Sequence, residues 1–244
     1  MAAPLLALAA VAFLVAVHLL ARKLGFLRAI PRSRWLSFAA GVPVAFVFLE
    51  LLPALADDQA HVEATMGPLW GFVQHHLYLV ALVGLALYYG VERVVKRSQG
   101  AVGKGGGGEG TAPGPFWVSI TAFALLNLVI GYLLVQEERE PTALVLFTIA
   151  IALKFVLQDR ALADDHPQTY RRQGQWVVLG AFVAGAAVAF FTDVPHLFVG
   201  AFRAFLAGGI ILNVIKEELP AERESRWGAF LAGAALYAAL VLAI

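Results

Sequence analysis

The chain of 244 residues has no cysteine, two methionines and few charges. Without cysteine there is neither a disulfide framework nor a thiolate ligand for a metal. Aspartate, glutamate, lysine and arginine make up 14% of the residues, where a soluble domain carries roughly 25%. No charged stretch is longer than a loop, which excludes a large soluble domain. The formal charges nearly cancel, at +1. The basic residues lie scattered beside apolar runs, so nucleic acid finds no basic patch. No HExxH, no paired carboxylates and no Ser/His constellation occurs at membrane depth, and an enzyme is not expected.

What is present is apolar: 60% of the chain is hydrophobic, in runs near the roughly 20 residues that cross about 30 Å of hydrocarbon. The pattern predicts eight transmembrane helices over 3–21, 35–56, 69–92, 115–136, 142–160, 175–192, 195–218 and 226–244. The first run has no basic residues before it and no small-residue cleavage site after it, so a cleavable signal is not expected. Fifteen of the 18 lysines and arginines fall after spans 1, 3, 5 and 7. Basic residues resist translocation, which puts those loops in the cytoplasm and both termini outside.

Two internal matches stand out. Residues 38–54 (FAAGVPVAFVFLELLPA) and 205–221 (FLAGGIILNVIKEELPA) share Phe38/Phe205, Ala40/Ala207, Gly41/Gly208, Val47/Val214, Glu50/Glu217, Leu52/Leu219, Pro53/Pro220 and Ala54/Ala221. Residues 82–88 (LVGLALY) and 231–237 (LAGAALY) share Leu82/Leu231, Gly84/Gly233, Ala86/Ala235, Leu87/Leu236 and Tyr88/Tyr237. By span count the two copies cross in opposite senses. The expected fold is all-α and integral to the membrane, arranged 3+2+3 with spans 1–3 repeated upside down as spans 6–8, a transporter's architecture. The second match supports the first, although small apolar residues also coincide by chance in membrane helices and, for the second match alone, chance is as good an account as repetition.

A single transmembrane domain over 1–244 follows, divided into a first three-helix repeat (1–96), a linker (97–115), a central helix pair (116–160) and the inverted repeat (175–244). The linker carries Gly100, Gly103, Gly105 to Gly108, Gly110 and Gly114 and reads as flexible and cytoplasmic. Its GKGGGG run has neither Ser nor Thr after Lys104 and is no P-loop. Small residues at four-residue spacing, Gly200/Ala204/Gly208, Ala181/Gly185 and Ala229/Gly233, let helix backbones approach within the bundle or across a homodimer face.

Ionisable groups at bilayer depth need a partner or a role. Arg203 and Glu50 lie ~12 Å and ~9 Å below the outer surface by helical rise, and are expected to pair. Lys154 on span 5 faces Asn127 on span 4, with Gln158 one turn on. Its acceptor is one of Asn127, Gln158 and Asp159, unless it snorkels to the interface. Asn213 completes the candidate transport path of Asn127, Lys154, Gln158, Glu50, Arg203 and Asn213. His61, Glu63, His75 and His76, beside Asp57 and Asp58, form either an outer rim that collects divalent metal or ordinary polar helix ends.

Eight spans, outer termini and the long loop after span 3 resemble the ZIP family of zinc and iron transporters. So do Gly41…Glu50-Leu-Leu-Pro53, the Glu218-Leu219-Pro220 close of span 7 and the Leu85-Ala86-Leu87-Tyr88…Glu92-Arg93 course of span 3. The resemblance implies alternating access by one helix group sliding on another, with zinc or another divalent cation as substrate. The family's site is built on spans 4 and 5, from a His-Asn-x-x-Glu/Asp motif and a second motif of His and carboxylate. Here the first reads Leu126-Asn127-Leu128-Val129-Ile130-Gly131, keeping only Asn127 and Gly131, and Leu153-Lys154-Phe155-Val156-Leu157 offers no ligand. Lys154 sets an ammonium where a cation would sit. The implied function is a ZIP-like transporter of divalent metal, through a displaced site using Glu50, His75 or His76, or of another small solute. The alternative is a non-transporting membrane scaffold or regulator in which Lys154 replaces the metal. The lipid bilayer is the expected partner, in a bacterial or archaeal cytoplasmic membrane.

Overall fold

The computed structural model describes residues 2–20, 32–66, 76–104, 113–136, 139–165, 169–192, 194–218 and 226–243. They form eight helices. These are α1 (Ala2–Leu20), α2 (32–66), α3 (His76–Lys104), α4 (Pro113–Gln136), α5 (Pro141–Asp165), α6 (170–191), α7 (His196–Glu218) and α8 (Trp227–Leu242). α2 is interrupted by a π turn at Val47–Leu51 and α6 opens on one at Tyr170–Gly174. Five helices are long and apolar enough to cross a membrane, and Pro4–Leu20, Phe198–Leu212 and Trp227–Leu242 are shorter apolar helices. Their outward faces carry large apolar side chains such as Phe13, Leu82, Val145, Phe191 and Leu242, a surface compatible with an integral membrane location.

Helix ends depart from the hydropathy pattern. α2 continues to Met66, past the expected end at residue 56. The added stretch, DDQAHVEATM, contains neither Gly nor Pro, and its Ala, Gln and Glu are good helix formers. α3 likewise runs through residues 97–104 of the expected linker, while 105–112 lie outside the described residues. Hydropathy marks where hydrocarbon ends, not where a helix ends. At the end of α4, Arg139 Nη1 donates to Leu133 O at 3.2 Å and its guanidinium lies 3.9 Å from the Phe147 ring centre. It thereby covers an orphan carbonyl at the α4–α5 turn.

The helices sort into two sets of four. One set holds α1, α4, α5 and α6; the other holds α2, α3, α7 and α8. The closest pairings are α4 with α6, α3 with α7 and α2 with α8. Each is made by one glycine from each helix. A Cβ on Gly131 would overlap Phe182 O, and one on Gly185 would overlap Leu128 O. Gly41 lies against Phe230 O, Gly233 against Phe38 O, Gly84 against Phe205 O and Gly208 against Ala81 O. Without an apolar solvent penalty to drive association in lipid, such backbone approach supplies the packing energy. Thus Gly185, Gly208 and Gly233 serve contacts within the bundle.

The two sets meet through α2–α5, α4–α7, α3–α4 and α5–α8. Phe46 crosses Phe147 edge-on at 5.4 Å, Tyr132 crosses Phe202 at 5.6 Å and Tyr88 lies 5.9 Å from Phe123. The Tyr88 hydroxyl also donates to Ala122 O across this boundary.

Candidate functional site

α5 carries Lys154 and Gln158 one turn apart and Asp159 beside them. All three are buried, at 5%, 2% and 6% exposure. In a helix the i and i+4 positions share a face, and Lys154 Nζ donates to Gln158 Oε1. Asn127 of α4 comes from the opposite side. Its Nδ2 donates to Gln158 Oε1 at 3.1 Å and to Phe123 O at 2.7 Å. Gln158, one of the three acceptors expected for Lys154, is bonded to it, and the lysine is held inside the bundle.

The cluster extends through residues that sequence reasoning missed. His18 of α1 is 1% exposed. Its Nδ1 lies 2.7 Å from Asp159 Oδ2 and its Nε2 lies 3.4 Å from Asn127 Oδ1. Its ring sits 4.2 Å from that of Phe155. The Tyr170 hydroxyl, in the π turn that opens α6, donates to the other oxygen of Asp159. One chain of side chains therefore runs Lys154–Gln158–Asn127–His18–Asp159–Tyr170, built from α1, α4, α5 and α6. A lone histidine near the end of span 1 was the available signal for His18. Tyr170 stood in a polar stretch that reads as a loop.

Arg203 and Glu50, expected to pair, each have another partner in the structure. Arg203 Nη1 pairs with Asp58, and reaches Ala54 O at 3.4 Å. Glu50 accepts from the Tyr237 hydroxyl of α8. The cause is the length of α2. Because the helix continues past residue 56, Asp58 is held on it beside α7 and is not a loop residue. Glu50 lies within the π turn.

Asn213 lies on α7, with its side chain outside the described residues, as are those of Glu63 and His76 and the whole of His75. His61 is exposed on the last turns of α2. Among the described residues no group of three or more His, Asp or Glu side chains is placed to hold a metal ion. Leu126 and Ile130 are fully buried apolar residues, so the α4 stretch offers only the Asn127 amide. Within the cluster, His18 and Asp159 are already bonded to each other. No family model matches the chain, and no curated protein sequence matches it.

Proposed function

We propose that the chain is a ZIP-like membrane transporter of a small solute, built on an inverted repeat, in which the four helices carrying the buried polar cluster move against the other four. The observation that carries this reading is the division of labour between the two helix sets. The whole cluster from Lys154 to Tyr170 sits on α1, α4, α5 and α6. The boundary with α2, α3, α7 and α8 is largely aromatic and aliphatic. Apolar surfaces slide with little loss of directional bonding, and a solute held by one set travels with it.

The glycine contacts support the repeat. Gly41 and Gly208 are matched positions, and they abut Phe230 and Ala81, which stand one residue before the two segments of the second match. Gly84 and Gly233 are matched as well, and they abut Phe205 and Phe38, also a matched pair. Exchanging α1 with α6, α2 with α7, α3 with α8 and α4 with α5 turns α2–α8 into α7–α3, and α2–α5 into α7–α4. Both members of each exchange are present. Exposed Arg34, Arg171, Arg172 and Arg226 at the starts of α2, α6 and α8 support a cytoplasmic side there and outer termini.

The second reading, a non-transporting protein with Lys154 in place of a metal, draws on the bonds that already hold Lys154 to Gln158. One experiment separates the two. The chain lacks cysteine, so Tyr88→Cys with Ala122→Cys introduces a lone pair across the boundary, for a bifunctional methanethiosulfonate to bridge through two mixed disulfides. Proteoliposomes are challenged with zinc chloride, sodium chloride, sodium phosphate and sodium acetate gradients. Transport predicts a protein-dependent flux of at least one solute, stopped by the bridging reagent and restored by reductant. Flux that continues through the cross-link overturns the moving-unit mechanism, and no flux of any solute favours the fixed protein.

A further inference from the structure

The helices α2 and α8 open on similar residues. Positions 33–41 (SRWLSFAAG) and 225–233 (SRWGAFLAG) share Ser33/Ser225, Arg34/Arg226, Trp35/Trp227, Phe38/Phe230, Ala40/Ala232 and Gly41/Gly233. The fold brings the two copies together. Arg226 N donates to Ser37 Oγ at 3.2 Å near the start of both helices, and the Tyr237 hydroxyl donates to Glu50 further along both. The two helices therefore run side by side in one sense. Between those bonds, Gly41 against Phe230 O and Gly233 against Phe38 O close the seam.

That packing sets two arginines at one mouth of the seam. Arg34 stands three residues before Ser37, on the same helix face. It is about one turn, ~5 Å, from the level at which Arg226 is bonded. Both arginines are exposed. Like charges at such spacing repel, and a phosphate between them accepts from both guanidinium groups. The surrounding sequence has the same sign: residues 21–34 and 219–226 hold seven lysines and arginines against two glutamates. The fitting partner is an anion.

The neighbouring apolar residues say which kind. The Trp35 ring is stacked 5.7 Å from that of Phe38 on its own helix. Trp227 is 75% exposed, and Leu231, one turn further along α8, is 46% exposed. An indole beside arginines at the end of an apolar helix belongs at the head-group level of a bilayer. A soluble phosphate uses the arginines and leaves the indole and Leu231 bare, whereas a phospholipid covers them all. We propose that the paired starts of α2 and α8 bind one anionic phospholipid, with Arg34 and Arg226 on its head group and its acyl chains along Trp227 and Leu231. The anionic lipids of a cytoplasmic leaflet are such a partner. The site needs a membrane location only, and it stands or falls independently of transport.

The test is thermal unfolding of the purified full chain in a non-ionic detergent at fixed ionic strength. Dioleoylphosphatidylglycerol, dioleoylphosphatidylcholine and sn-glycerol 3-phosphate are titrated separately. A ligand that binds only the folded state raises Tm by about 5 °C or more at 100 times its Kd. We expect such a saturable rise with phosphatidylglycerol and not with the other two. Arg34→Gln with Arg226→Gln is expected to weaken the binding about 30-fold, and Arg34→Gln alone, which serves if the double variant fails to fold, about fivefold. Arg171→Gln with Arg172→Gln removes the same charge from exposed positions on α6 and is expected to leave the affinity unchanged. An equal rise with phosphatidylcholine marks ordinary surrounding lipid, and an equal rise with glycerol phosphate marks a soluble anion; either overturns the site. Equal losses in the two arginine pairs, or no rise at all, overturn it as well.

Discussion

His18 and Asp159 are 141 positions apart in the chain and lie 2.7 Å from one another inside the bundle. Their bond ties α1 to α5, and through Tyr170 to α6. Removing one partner leaves buried donors or acceptors stranded, whereas removing both strands fewer. Asp159→Asn and His18→Leu are each expected to destabilise the protein by about 1–3 kcal/mol. The double variant is expected to be less damaged than the sum, by about 0.5 kcal/mol or more. Denaturant unfolding of the four proteins checks this, and strict additivity would show that the two side chains do not act together.

Gly41 and Gly180 give opposite expectations for the same change. A Cβ at Gly41 overlaps the backbone of α8, while one at Gly180 meets nothing within 4 Å. Gly41→Ala forces two backbones apart and is expected to lower stability by about 1–3 kcal/mol, as overpacking does. Gly180→Ala relieves chain entropy in an open helical position and is expected to be neutral, or to stabilise by about 0.5–1 kcal/mol. Paired melting curves read both, with equal effects at the two positions as the contrary result.

Asp58 and Arg203 form the ion pair that fastens α2 to α7. Asp58→Arg and Arg203→Asp each place like charges together and are expected to reduce the folded yield. Combining them is expected to restore it. Glu50→Arg with Arg203→Glu is expected to give no such rescue, because it removes the partners of both Asp58 and the Tyr237 hydroxyl. Size-exclusion profiles of the variants decide between the two pairings.

The middle of each span was legible because apolar length is a direct statement about the solvent that surrounds it. Lys154 was legible too. A lysine at membrane depth must find an acceptor, and the spacing to Gln158 put one on its own face. Helix ends were not, since residues 57–66 are polar yet hold good helix formers, and α3 continues through 97–104 in spite of Gly100 and Gly103. The Arg203–Asp58 pair was hidden for the same reason, because Asp58 read as a loop residue. His18 obeys the same rule of costly buried ionisable groups that singled out Lys154. Its position two residues from the end of α1 disguised it as an interfacial residue. Tyr170 depended on tertiary context, because nothing in HPQTYRRQGQ announces a buried π turn.

The π turn at Val47–Leu51 has no counterpart in α7, where the matched residues 214–218 are ordinary α-helix. A π turn accommodates one extra residue while the helix on either side keeps its faces. Phe48 within it is 62% exposed, so its side chain contributes little to packing inside the bundle. Deleting Phe48 is therefore expected to turn the segment into regular α-helix. The Gly41 contact with α8 and the Asp58–Arg203 pair, one on each side of the turn, are expected to remain. The deletion should cost about 1–2 kcal/mol at most, within the range of ordinary single changes. Deleting Leu128 from the unbroken α4 instead rotates everything beyond it by about 100°, taking Gly131 off α6, and should abolish folding. Comparing folded yield and melting temperature of the two deletions tests whether the extra residue in α2 is spare to the fold. If ΔPhe48 folds and still drives flux, the π turn has no part in transport. If it folds and flux is lost, the turn is there to aim Glu50 at Tyr237.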